Sequence, residues 1–130
     1  MMNGQALPER LLLFCARANT DAELGHISRG ADVIVRAECI GGTTTWMSIS
    51  AEGVAAETNP LTRHSAETIV LRAPVSAWAE LADPDAAPRR HDLLALTKAP
   101  GGIEIVEGRT SLIRHLRVLN RIVEIGRSNG

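Results

Sequence analysis

The chain has 130 residues, 45% of them apolar and 22% charged, an ordinary globular composition for a single domain over residues 1–130. A domain of this size buries about two-thirds of the surface its unfolded chain exposes, so no metal or disulfide is needed to hold it. A net charge of −1 gives no general attraction to nucleic acid, and Phe14, Trp46 and Trp78, the only aromatics, make no stacking platform for single strands.

Leu11 to Ala16, flanked by Arg10 and by Ala16-Arg17-Ala18, has the outline of a secretory leader. Its apolar core of six residues is shorter than such leaders use, and no run in the chain is long enough to span a membrane, so a cytoplasmic location is expected. Cys15 and Cys39 lack C-x-x-C spacing and read as buried apolar residues of a reducing compartment. A first helix is predicted to start near Pro8, with Leu11, Leu12, Phe14 and Cys15 on its apolar face. Thr20 and Glu23 form a capping box for a short second helix that ends by Gly30.

From Asp32 the hydrophobic period changes to two. Val33, Val35, Ala37 and Cys39 alternate with Asp32, Ile34, Arg36 and Glu38, and Gly41-Gly42 supplies a hairpin turn. Thr45, Met47 and Ile49 alternate with Trp46, Ser48 and Ser50 before Glu52-Gly53 turns the chain into a third strand over Val54 to Thr58, closed by Asn59-Pro60. A fourth strand follows, in which Ile69, Leu71 and Ala73 alternate with Thr68, Val70 and Arg72 up to Pro74. Ser76 is the predicted cap of a helix carrying Trp78, Leu81 and Ala82 on one face, broken at Asp83-Pro84. After Pro88 comes a short piece with Leu93, Leu94 and Leu96, then Pro100-Gly101-Gly102 and a fifth strand at Ile103 to Val106. Beyond Gly108, Thr110 or Ser111 is predicted to open a continuous helix of about four turns, with Leu112, Leu116, Leu119 and Val123 in one stripe and Arg114, Arg117 and Arg121 nearly opposite. The expected architecture is α+β: a five-stranded, mostly antiparallel sheet with its helices packed on one face.

The segments AETIVLRAPVSAWAEL, HDLLAL, GGIEIVEG and SLIRHLRVLNRIVEI, in this order and with DAELGHISRGADVIVRAECIGGTTTWMSISAEG before them, resemble the sterol carrier protein 2 (SCP2-like) domain, particularly its stand-alone bacterial versions. The family runs a strand into a helix carrying a Trp, then a G-x-(L/I)-x-(L/I)-x-G strand into a closing helix. The resemblance covers about Asp21 to Ile125. Where the family often has an acidic residue after the last Gly of that strand, this chain has Arg109.

Side chains that commonly carry chemistry are scattered. None of His26, His64, His91 and His115 stands three or four residues from another His or a Cys, so no metal-ligand pattern arises. No Ser lies in G-x-S-x-G, and Gly41-Gly42 and Gly101-Gly102 lack the Lys-Ser/Thr and helix start of a phosphate cradle. The residues thus point to a protein that is not an enzyme and needs no cofactor. A sheet and helices rich in Ala, Val, Leu and Ile fit a filled core and equally an apolar cavity.

The resemblance favours the cavity, since SCP2-like domains hold fatty acyl chains, sterols or similar hydrophobes between sheet and helices. Wall candidates from the sheet are Val35, Met47, Ile49, Ile69 and Leu71. Those from the helices are Trp78, Leu81, Leu96, Leu112, Leu116 and Leu119. The family also occurs joined to hydrolases, sulfatases and acyltransferases, so the alternative is an interaction or oligomerisation module that serves a separate hydrophobe-processing enzyme or forms a homodimer. Charge is uneven along the chain: residues 88–130 carry 8 Lys/Arg against 4 Asp/Glu. Arg114, Arg117 and Arg121 are therefore candidates for peripheral contact with an anionic membrane surface, or simply a solvated helix face.

Overall fold

Alternation of apolar and polar residues becomes a sheet wherever one face can be covered. The computed structural model describes residues 30–51, 53–57, 60, 66–82, 93–98 and 101–128, together with Asn19, Asp21, Ala22 and Gly25. The helix expected near Pro8, the Thr20–Glu23 capping box and the breakers at Asp83-Pro84 and Pro88 lie outside the described residues. The strands are β1 (Val33–Ile40), β2 (Thr44–Ser50), β3 (Gly53–Glu57), β4 (Glu67–Pro74) and β5 (Glu104–Glu107). The helices are α1 (Val75–Ala82), α2 (Leu93–Lys98), α3 (Arg109–Arg114) and α4 (Leu116–Ser128).

Strand order is β3-β2-β1-β4-β5. The pairs β1/β2, β2/β3 and β4/β5 are antiparallel, and the central pair β1/β4 is parallel. This is the expected mostly antiparallel α+β sheet. Register places Val35 opposite Met47 and beside Ile69, and Ala37 opposite Thr45 and beside Leu71. These side chains share one face because residues two apart along a strand point the same way. Val33, Ile49 and Ile69 on that face are fully buried with Leu81, Leu96, Leu112 and Ile122 of the helix layer. Each such burial contributes about 1.5–3 kcal/mol. Ile34 and Val70 are buried on the opposite face, outside this cluster.

Two joints depend on glycine. Gly108, at φ +85, precedes α3 so closely against β4 that a Cβ there would run into the Thr68 carbonyl oxygen. Gly53, at φ +119, lies under the Asn19 side chain, which holds the first residues of edge strand β3. Asn19 Oδ1 accepts from the Val54 N–H at 2.6 Å, and its Nδ2 donates to the Val54 carbonyl at 3.0 Å.

Three local expectations are corrected. Ser76 does not cap α1: the helix begins at Val75, directly after Pro74, so Ser76 lies within its first turn. Neither Thr110 nor Ser111 caps the closing helix, because Gly108 occupies that position and the Ser111 hydroxyl donates instead to Glu67 Oε1 at 2.8 Å. The helix is also not continuous, since His115 at φ −107, ψ 21 separates α3 from α4. Glu67, at the start of β4, draws in Ser111, Arg114 and His115, fixing the short helix and the joint that follows it to the first residue of that strand. Val118, Leu119, Ile122, Val123 and Ile125 are buried, and Leu116 is only half-buried.

Candidate functional site

Between the sheet and the helix layer lies a half-enclosed pocket. Val35, Ala37, Thr45, Met47 and Leu71 form its floor on the sheet, with Trp78, Leu81, Leu93, Leu119, Ile122 and Val123 above. Small Ala37 faces Thr45 across the β1/β2 pair, and both line the open space. The cavity volume is about 40 Å³ and its accessible wall is apolar throughout. The Trp78 indole N–H, the one side-chain donor among the described helix residues that line it, is already spent on the Glu38 carbonyl at 3.0 Å.

Six of the expected wall residues meet here: Val35, Met47, Leu71, Trp78, Leu81 and Leu119. Ile49, Ile69, Leu96 and Leu112 are fully buried in the surrounding core and do not line the pocket, and neither does Leu116, which the bend at His115 leaves half-buried. The wall residues that sequence reasoning omitted are Ala37, Thr45, Leu93, Ile122 and Val123. The alternation that named Val35 and Met47 puts Ala37 and Thr45 on the same face, so that signal was present.

The three arginines do not form a free cationic strip. Arg114 Nη1 lies 2.6 Å from Glu67 Oε1. Arg121 makes a two-pronged contact with Asp21, Nε to Oδ2 at 2.9 Å and Nη2 to Oδ1 at 2.6 Å, and adds Glu124 at 3.2 Å. The break at His115 puts Arg114 on a different helix from Arg117 and Arg121, and Arg114 and Arg117 are exposed.

Glu67 gathers the densest polar cluster among the described residues. His115 Nε2 lies 2.8 Å from Oε2, while Ser111 and Arg114 share Oε1. The His115 hydrogen bond, then that from Ser111, hold the Glu67 carboxyl below the usual carboxylate value, with Arg114 charge adding to the effect and partial burial opposing it. With every member engaged at the joint of β4, α3 and α4, and none lining the pocket, the cluster acts as a clasp. On the outer face of the sheet Glu38 bridges Arg36 (2.7 Å) and Arg72 (2.9 Å), and Arg36 lies 5.4 Å from the centre of the Trp46 ring.

No protein-family model and no curated protein matches this sequence. Solved structures match it along most of its length. One described as a crystal structure of sterol carrier protein 2 superposes with a TM-score of 0.65 at 16% identity, covering 98% of this chain and 98% of that one. Another, described as UbiJ-SCP2, a ubiquinone synthesis protein, gives 0.62 at 17% identity over 92% of this chain and 95% of that one. Identities this low speak for the backbone rather than for side chains, and on that ground the chain has the α+β fold of sterol carrier protein 2.

Proposed function

We propose that this protein holds an apolar small molecule, a fatty acyl chain, a sterol or a similar lipid, between the sheet and α4, and carries it without chemically altering it. The observation that carries this reading is the wholly apolar pocket between sheet and helices. Structural neighbours named for sterol carriage and for ubiquinone synthesis support a hydrophobic guest. The cavity of about 40 Å³ is well below the ~150 Å³ that accommodates benzene in an engineered core. Loading is therefore coupled to widening. The sheet is held by backbone ladders, whereas α1, α2 and α4 rest on it through side chains, so the helix layer is the part that yields. Burying eight to ten methylenes at about 0.8 kcal/mol each contributes about 6–8 kcal/mol, from which the cost of association and opening is subtracted.

Titration with fluorescent fatty acid and sterol probes tests this. Binding tighter than about 100 μM, roughly −5.5 kcal/mol, is expected for at least one probe class. Failure of both, with no hydrophobe found by native mass spectrometry of protein purified from cells, would remove the reading.

A second reading, a docking module for a separate enzyme or a second copy of the chain, is favoured by Ile40 and Val75. They are 57% and 48% exposed at the same end of the central strands, where Ile40 pairs with Pro74. Light scattering that finds a monomer at every concentration, with no partner recovered in a pull-down, would count against it.

A further inference from the structure

Thr45 is out of place in the pocket it lines. It is 2% exposed, the one buried polar residue among the described residues, and its hydroxyl oxygen has no hydrogen-bond partner. It occupies a helix-facing position of β2, in line with Met47 and Ile49 and opposite Ala37. Valine has the same shape and suits such a position at least as well. An orphaned hydroxyl in an apolar layer costs stability that the folded protein does not recover. None of the accessible wall is polar, so the hydroxyl does not contribute to it in this conformation, and rotation about χ1 is what would bring it there.

We propose that Thr45 is the polar anchor of the pocket, its hydroxyl hydrogen-bonding the single uncharged oxygen of an otherwise apolar guest: an alcohol, a phenol or a carbonyl. This rests on the apolar-guest reading above and narrows it. A threonine hydroxyl both donates and accepts, so it serves any of these oxygens. None of the described wall residues is cationic. An ionised carboxylate at this depth would be buried without a counter-charge, which excludes a fatty acid inserted head-first. Ala37, across the strand pair, leaves the room beside the hydroxyl in which the guest oxygen lies.

The test measures displacement of the neutral fluorophore N-phenyl-1-naphthylamine by 1-decanol, decane and decanoate from the parent, Thr45→Val and Thr45→Ser proteins. Thr45→Val is expected to weaken 1-decanol about 5- to 10-fold, the worth of one net hydrogen bond, and to leave decane within about twofold. Thr45→Ser keeps decanol affinity within about threefold of the parent. The parent itself prefers decanol to decanoate, a comparison that stands even if a variant fails to fold. If decane and the fluorophore bind but decanol is indifferent to Thr45→Val, or the parent prefers decanoate, the anchor is refuted and the apolar-guest reading survives. If neither the fluorophore nor any of the three binds the folded parent, both fall together.

Discussion

Filling the pocket from below with Ala37→Val separates an open cavity from a packed core. Ala37 lies on the pocket floor with part of its surface still accessible. At ~24 cal/mol per Å³ of cavity, filling about 40 Å³ recovers about 1 kcal/mol. Counting atoms gives the same answer: two added carbons contribute about 1.6 kcal/mol, less about 0.5 for restricting the new side chain. Valine also suits a central strand. Urea unfolding should therefore show the variant more stable by about 1 kcal/mol, with a melting temperature about 3–5 °C higher. The same two methyl groups occupy the guest's space, so affinity for an apolar fluorophore should fall at least about tenfold. Lower stability by about 1 kcal/mol or more would show overpacking, and so no open volume in solution. Higher stability with unchanged affinity would put the guest elsewhere and refute the pocket as the binding site.

The Glu67 clasp makes stability depend on pH in a defined sense. Because His115, Ser111 and Arg114 lower the Glu67 value in the folded state, its contribution is fully present above the unfolded value of about 4.5 and is lost as pH falls through the lower folded value. Glu67→Gln should thus be less stable than the parent at pH 7, with the gap closing in acid once the parent carboxyl is protonated; a gap of equal size at both ends would contradict this. Leu112, fully buried and away from the pocket, should cost about 3–5 kcal/mol as Ala, while Leu119, whose surface already borders open space, should cost about 2–3. Equal costs in urea titrations would argue against the cavity. Replacing Arg114, Arg117 and Arg121 together by Gln should lower stability modestly, chiefly through loss of the two-pronged Asp21 contact. Co-sedimentation with anionic vesicles should be little changed, and a salt-sensitive loss would instead assign the arginines to membrane contact.

What could be read from the sequence was what local pattern encodes. Alternation located the strands, and helical spacing found Trp78, Leu81 and Leu119 on faces that turn inward. The break at His115 could not be found this way, because it depends on Glu67, 48 residues earlier. Ser111 illustrates the same limit: next to a helix start a serine reads as a cap, yet here a carboxylate on another element takes its hydroxyl. Two of the five omitted wall residues show a different bias. Ala37 and Thr45 were passed over for larger neighbours on the same face, though a cavity is bounded by the short side chains that fail to fill it. That β1 pairs with β4 in parallel, rather than lying at the edge of its own meander, is a long-range choice that no window of the chain records.

That parallel pair has a consequence for folding kinetics. β1 and β2 meet across a short turn, but Val33 finds its β4 neighbour Glu67 only after 33 residues of intervening chain have been looped back. Closing such a loop costs about 3 kcal/mol of chain entropy before any ladder bond offsets it. The meander is therefore expected to form first, with the joining of β4 to it as the slow step. The pocket straddles that seam: Val35, Ala37, Thr45 and Met47 come from one side, and Leu71, Trp78 and Leu81 from the other. No partly assembled chain that lacks the central pair can carry a guest, so a bound hydrophobe slows unfolding without accelerating folding.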